Sequence, residues 1–157
     1  MELFLVRHAI AVPSSDEQPD AERPLTDDGR RRFGQVARGL DRLGIRLDRV
    51  VHSPWTRAVQ TAELLHRVLD GESAVETGLA REPDAELMAR LAGGERVAAV
   101  GHEPWMSELL ALLLTGSKTH AGRLCFKKGQ VAWLRGEAKA RGMALVASLP
   151  PRVLRRL

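Results

Sequence analysis

One cysteine, Cys125, is all this sequence contains. No disulfide can form within the chain, and the scarcity fits a reducing compartment. Long hydrophobic runs are missing too. The longest, Leu109–Leu114, is far too short to cross a bilayer, so no membrane partner is expected. Met1-Glu2-Leu3 opens without the basic start, apolar stretch and small-residue cleavage site of a secretory signal, and the chain reads as cytoplasmic. There is no repeat, linker or low-complexity segment. With 157 residues, 44% of them hydrophobic, the expectation is one domain over residues 1–157 with a genuine core.

Several kinds of chemistry lack their signatures. The five histidines include no HxH pair, and no second histidine follows His102-Glu103 at the spacing a helical zinc site needs. No metal and no organic cofactor is expected. Six residues after Cys125 stands Val131, where a cysteine-phosphatase loop needs an arginine. Gly116-Ser117-Lys118-Thr119 lacks the glycine-lysine step and the earlier glycine of a phosphate-binding P-loop. A net charge of +4 and a pI near 10.0 raise nucleic-acid binding as a question. Arg30-Arg31-Arg32, Lys127-Lys128 and Arg152 with Arg155-Arg156 are separate groups, however, and acids are scattered among most of the rest. That pattern reads as a solvated surface, useful for attracting an anion, rather than as a nucleic-acid footprint.

What the sequence does contain is an alternation of strand and helix signals. Strands are predicted over Glu2–Val6, Arg49–His52, Ala74–Thr77, Arg96–Val100, Val131–Leu134 and Ala144–Leu149. Thr26 is a candidate N-cap ahead of Phe33, Val36, Ala37, Leu40 and Leu43 at helical spacing, with Gly44 as the stop. Ser53-Pro54 predicts a second helix start, serine as cap and proline at the first position. Shorter helices are expected from Pro83 to Leu91 and from Glu103-Pro104 to about Thr115. Pro13 to Pro24 reads as an irregular loop, Gly136–Gly142 as a polar connection. The tail Arg152–Leu157 is undecided between packing and looseness. The order implies an α/β three-layer sandwich, a mostly parallel central sheet covered by helices on both faces, with the late strand pair as an antiparallel edge.

Reactive side chains fall at strand ends, where such sheets open a crevice. Arg7-His8 closes the run Leu3–Val6, Arg57 follows Val50-Val51, and His102 follows Val97–Val100. Guanidinium groups match phosphoryl oxygens through bidentate, charge-assisted hydrogen bonds. Arg57 also lies in the first turns of its predicted helix, where unpaired N–H groups suit anions. A neutral imidazole can attack phosphorus and form a phosphohistidine that water then hydrolyses. A second imidazole can donate to the transferring group. His52, His66 and His120 read as ordinary histidines, His52 with a possible supporting place near the site. Trp133 reads as core. Trp55 and Trp105 suit the core as well, unless one lines the pocket mouth.

These segments resemble the histidine phosphatase superfamily. Leu5-Val6-Arg7-His8-Ala9 is similar to its RHG signature, with Ala9 in place of the usual glycine. Arg23-Pro24-Leu25-Thr26 with Gly29 resembles RPLTxxG, and Ser53–Ala62 resembles SPxxRAxQTA. Val100–Pro104 resembles the late catalytic-histidine segment. Order and short length match the SixA-type phosphohistidine phosphatases best. The resemblance implies a phosphoglycerate mutase-like fold, His8 as the phosphoryl-accepting nucleophile, Arg7 and Arg57 as phosphate holders, and His102 completing the pocket. Arg23 stands where small members place an additional polar contact.

The general acid is where the resemblance thins. Larger members carry a carboxyl group near the third strand or in an insertion, for which this chain has little room. Glu82 is the nearest candidate, although a helix-capping surface role also suits it, and Glu103 could orient a helix start. A leaving imidazole needs less acid assistance than an alkoxide. The expectation is therefore a metal-independent phosphatase of phosphohistidine on a protein, such as a histidine phosphotransfer domain. The alternatives are a small-molecule phosphomonoesterase and a phosphate- or phosphoprotein-binding module without turnover. Oligomeric state is left open.

Overall fold

A computed structural model describes all 157 residues. Six strands form one sheet in the order β3-β2-β4-β1-β5-β6. β1 (Glu2–Arg7), β2 (Leu47–His52), β3 (Leu69–Val75) and β4 (Arg96–Gly101) run parallel. β5 (Val131–Gly136) pairs antiparallel with β1, and β6 (Met143–Leu149) antiparallel with β5. The sheet is thus mostly parallel with an antiparallel edge, as the strand order implied.

Helices cover both faces because the central strands are apolar on both sides. Along β1, Phe4 and Val6 pack with Phe33, Val36 and Leu40 of α1 (Asp27–Arg42) and with Ala58 and Ala62 of α2 (Thr56–Leu64). The alternate residues, Leu3 and Leu5, pack on the other face with Leu87 and Leu91 of α3 (Ala85–Leu91). Leu109 and Leu113 of α4 (Trp105–Thr115) complete that layer. Period-two alternation in one strand therefore feeds two cores. No helix is long and apolar enough to cross a membrane.

The caps follow the sequence in most places. The Thr26 hydroxyl accepts the Gly29 N–H at 2.9 Å, and Gly44 ends the first helix region with φ +71°. Two elements differ from expectation. The second helix begins at Thr56 and not directly after Ser53, because the Ser53-Pro54 step is spent on a bend that leads into the pocket. The third strand lies over Leu69–Val75, earlier than Ala74–Thr77. It is an edge strand with mostly exposed side chains, held by main-chain pairing with β2, so it carries little apolar pattern to read.

The tail packs. Pro151–Leu154 forms a short turn of helix, α5, whose Leu154 is fully buried in the α1 layer. Gly39 makes this approach possible. A Cβ there would stand 2.1 Å from the Leu154 carbonyl oxygen, a main-chain atom that cannot swing aside. Gly34, on the same helix, has open space around its Cβ position. Gly39→Ala is expected to lower stability by roughly 1–3 kcal/mol through overpacking, and Gly34→Ala to raise it by about 0.5–1 kcal/mol. Urea denaturation of both variants checks the pair of signs.

Candidate active site

The carboxyl ends of β1, β2 and β4 lie side by side, because the three strands are parallel and adjacent. His8 leaves β1 with its N–H bonded to the Gly101 carbonyl at 3.0 Å, so the first motif is locked against the end of β4. Ala9 N–H donates to Thr61 Oγ1 at 3.0 Å, and that hydroxyl donates to the Arg57 carbonyl at 2.6 Å. Threonine thus ties the His8 segment to the helix carrying Arg57. Gln60 does the same for the Arg23–Thr26 segment, its Oε1 accepting the Leu25 N–H at 2.8 Å.

His8 is 5% exposed, and its Nδ1 lies 2.7 Å from the Ala9 carbonyl oxygen. A carbonyl only accepts, so Nδ1 carries the proton and Nε2 the lone pair. Arg57 Nε–H donates to that Nε2 at 3.3 Å. Burial above all, with the Arg57, Arg7 and Lys128 charges adding to it, lowers the His8 pKa to about 3 against the Ala9 bond that opposes the shift. A neutral imidazole with a fixed tautomer, whose Nε2 lone pair is held only by the long bond from Arg57, becomes a competent nucleophile once that bond yields to phosphorus.

His102 faces it, the ring centroids 5.2 Å apart. Its Nε2 is 2.7 Å from Ser53 Oγ, and its Nδ1 is buried without a partner. If the Ser53 hydroxyl donates to Nε2, the proton sits on Nδ1, leaving a free donor for an oxyanion. Burial, then the His8 and Arg57 charges, brings this pKa also to about 3. Trp55 packs on the imidazole at 4.4 Å between centroids and lies under the Arg57 guanidinium at 4.6 Å. Trp105 stands edge-on to both rings.

The structure brings Arg7, His8, Arg57, His102 and Arg23 into one cluster: Arg57 touches His8, His102 faces His8, and Asp20 joins Arg57 to Arg23. Arg7 Nη1 donates to the Phe126 carbonyl, and its Nε is buried without a partner. The Phe126 N–H in turn donates to Glu103 at 2.7 Å, and Glu103 also accepts from Ser107 on α4. Glu103 therefore anchors a helix start and, through residue 126, the strand-end arginine. Arg23 Nη1 donates to the Val12 carbonyl at 2.6 Å, and its Nε to Asp20 at 2.8 Å. Glu82 is not part of this group: it is exposed and paired with Lys118.

Three pocket residues were not anticipated. Ser53 carries the sequence signals of a helix cap and of the SPxxRAxQTA segment, neither of which points to its buried hydroxyl serving His102 as well as the Trp55 N–H. Asp20 sits in the segment read as irregular, on a short 3₁₀ turn over Asp20–Glu22, and its carboxylate bridges Arg57 and Arg23. Its i,i+3 spacing to Arg23 was the available signal. Lys128 adds a cation whose pKa is lowered by burial and by the charges of Arg7, Arg23 and Arg57. Its neighbour Gly129 donates its N–H to the carbonyls of Arg7 and His8, both at 3.1 Å.

Comparison with known proteins bears on the family and the fold. The model of the histidine phosphatase superfamily (branch 1) matches residues 3–85. This chain belongs to that superfamily. An uncharacterized protein of Picosynechococcus sp. is 37% identical over 147 residues, covering 88% of this chain and 87% of its own. The mitochondrial serine/threonine-protein phosphatase PGAM5 of Mus musculus is 38% identical over 81 residues, 51% of this chain but only 27% of that protein. Among solved structures, the protein histidine phosphatase SixA complexed with tungstate superposes with a TM-score of 0.82 at 25% identity, covering 98% of this chain and 99% of that one. The phosphoglycerate mutase-like fold is present, and the family match spans the segments of His8, Arg23 and Arg57.

Both depressed imidazoles carry a consequence for stability. The unfolded chain takes up their protons near pH 6.5, the folded one only near 3. Between those values the unfolded state binds more protons, so stability falls as pH falls from 6.5 toward 3. At pH 5 each imidazole is expected to have cost about 2 kcal/mol relative to neutral pH. Denaturation of the wild type and His8→Asn at pH 7 and pH 5 checks this: the variant should lose less on acidification.

Proposed function

We propose that this histidine-superfamily phosphatase hydrolyses phosphohistidine on a protein, by way of a phosphorylated His8. The observation that carries the reading is the neutral, oriented His8 imidazole, its Nε2 lone pair beside Arg57 and opposite His102. In the first step Nε2 attacks phosphorus and the substrate's N–P bond breaks. The departing ring, already protonated on its other nitrogen, leaves as neutral imidazole, while His8 becomes a phosphoimidazolium. Water then attacks phosphorus, the Nε2–P bond breaks, and the water's protons leave with the inorganic phosphate. His8 returns to its Nδ1–H form, so no proton is gained or lost by the ring over the cycle.

Arg7, Arg57 and Arg23 are assigned to the phosphoryl oxygens, where a preformed positive site stabilises charge in the transition state. His102 is assigned as donor through Nδ1. No metal is assigned a role, and activity is expected to persist with chelator. The choice of phosphoramidate over phosphoester rests on the leaving group. An alkoxide needs a proton donor, and the candidate acid Glu82 is exposed and engaged with Lys118. Asp20 touches the pocket arginines, but although burial opposes it, Arg57 and Arg23 hold its carboxyl below the usual range and therefore ionised. An imidazole leaving group requires neither. The similarity to SixA, almost end to end in both chains, supports the same choice. A phosphotransfer domain in the cytoplasm is the corresponding partner.

A phosphoester reading has one observation in its favour, the match of half of this chain to a protein serine/threonine phosphatase. A single assay separates the two. Phosphate release from a histidine-phosphorylated phosphotransfer domain and from p-nitrophenyl phosphate is measured with chelator present, for wild type and His8→Ala. The protein substrate is expected to be turned over far faster than the ester, and His8→Ala to reduce the rate by roughly 10³-fold or more. A preference for the ester would move the chain to the phosphomonoesterases. Phosphate bound but released from neither substrate would leave a binding module.

A further inference from the structure

The arginines assigned to the phosphate already hold an anion of the protein's own. Asp20 Oδ2 accepts from Arg57 Nη2 at 2.9 Å, while Oδ1 accepts from Arg23 Nε at 2.8 Å and lies 2.7 Å from Arg23 Nη2. The Asp20 main-chain carbonyl accepts from Arg57 Nη1 as well. Arg57 is buried, with 4% of its side chain exposed, whereas half of the Asp20 side chain faces solvent. The carboxylate thus closes over the guanidinium from the rim, on the 3₁₀ turn between Pro19 and Arg23. The buried members of the cluster differ. Arg7 Nε and His102 Nδ1 are buried and without partners. Unpartnered polar groups are thus the buried ones, and the carboxylate on Arg57 is the half-exposed one.

A carboxylate and a phosphoryl group offer the same paired oxygens to a guanidinium fork. Both cannot occupy the same edge of the fork, and Asp20, through Oδ2 and its carbonyl, already holds the Nη1–Nη2 edge of Arg57. We propose that Asp20 is the anion a phosphoryl group displaces: it holds Arg57 and Arg23 in a shared fork and competes with phosphate for them. The proposal rests on the assignment of those two arginines to phosphate. Its consequence is weaker binding of inorganic phosphate, so product release is aided as Asp20 returns to Arg57. Asp20 is then a positioning residue that limits affinity, and it takes no part in bond making.

A merely structural Asp20 gives the opposite sign. If its only effect were to orient Arg57, removing the charge would loosen the guanidinium and weaken phosphate binding. The test is a calorimetric titration of inorganic phosphate into the full chain, for wild type, Asp20→Asn, Asp20→Ser and Arg57→Gln, each checked for folding by its melting transition. Tighter binding by roughly threefold to tenfold is expected in both Asp20 variants, the range of a half-exposed ion pair. Product inhibition by phosphate should strengthen by the same factor, and Arg57→Gln should lose binding. Unchanged or weaker phosphate binding in both Asp20 variants would overturn the proposal while leaving the phosphate site intact. No binding by any form, wild type included, would overturn the phosphate assignment and this inference with it.

Discussion

The hydrogen bond from His8 Nδ1 to the Ala9 carbonyl is the constraint on which the pocket depends. It places the proton on one ring nitrogen and the lone pair on the other, and it does so from the residue's own neighbour, in a segment held by the Gly101 carbonyl and by Thr61. Burial and the surrounding cations then keep the ring neutral. These effects reinforce one another, since a protonated His8 would face Arg57 at 3.3 Å with no carboxylate of its own to offset the charge. A phosphoryl dianion changes that balance. Its charge compensates the arginines and favours the imidazolium that forms as phosphorus is attached. The same pocket thus disfavours a proton on His8 when empty and accommodates a positive ring during transfer.

Positioning of the cations is indirect and distributed. Arg57 depends on α2, whose first turn is bound to the His8 segment through Thr61 and packs against Trp55. Arg7 depends on a relay, Glu103 to the Phe126 main chain to the guanidinium. His102 depends on Ser53 at the neighbouring strand end. Arg7 and His102 are therefore fixed by elements other than their own, and the helix of Arg57 is tied to the His8 segment, so the three parallel strands must be in register before the site exists. That coupling of sheet register to site geometry explains why the motifs are dispersed from residue 7 to residue 104 yet meet at one edge.

Much of this was legible in the sequence for physical reasons. Apolar runs of β1 and β4 that end abruptly in Arg7-His8 and in Gly101-His102 mark strand ends facing a crevice, and the Thr26 cap and Gly44 stop define α1 without tertiary information. What was not legible depended on long-range partners. Ser53 beside proline looks like a helix cap, and only the approach of β4 reveals its hydroxyl beside His102. Asp20 carries no local pattern beyond its spacing to Arg23, because its partner Arg57 is far along the chain. Edge strand β3 is stabilised by main-chain pairing and so leaves little side-chain signature. The packing of Leu154 required Gly39, a position whose small size has meaning only once the tail is seen against it.

The most direct test of the central claim is the ionisation of His8 itself, followed by nitrogen and proton NMR of the imidazoles as pH is lowered in the phosphate-free protein. The account predicts a neutral His8 ring protonated on Nδ1 at pH 7 and still neutral at pH 5, titrating only near 3. A His8 that is an imidazolium at pH 5, or neutral with its proton on Nε2, would contradict it.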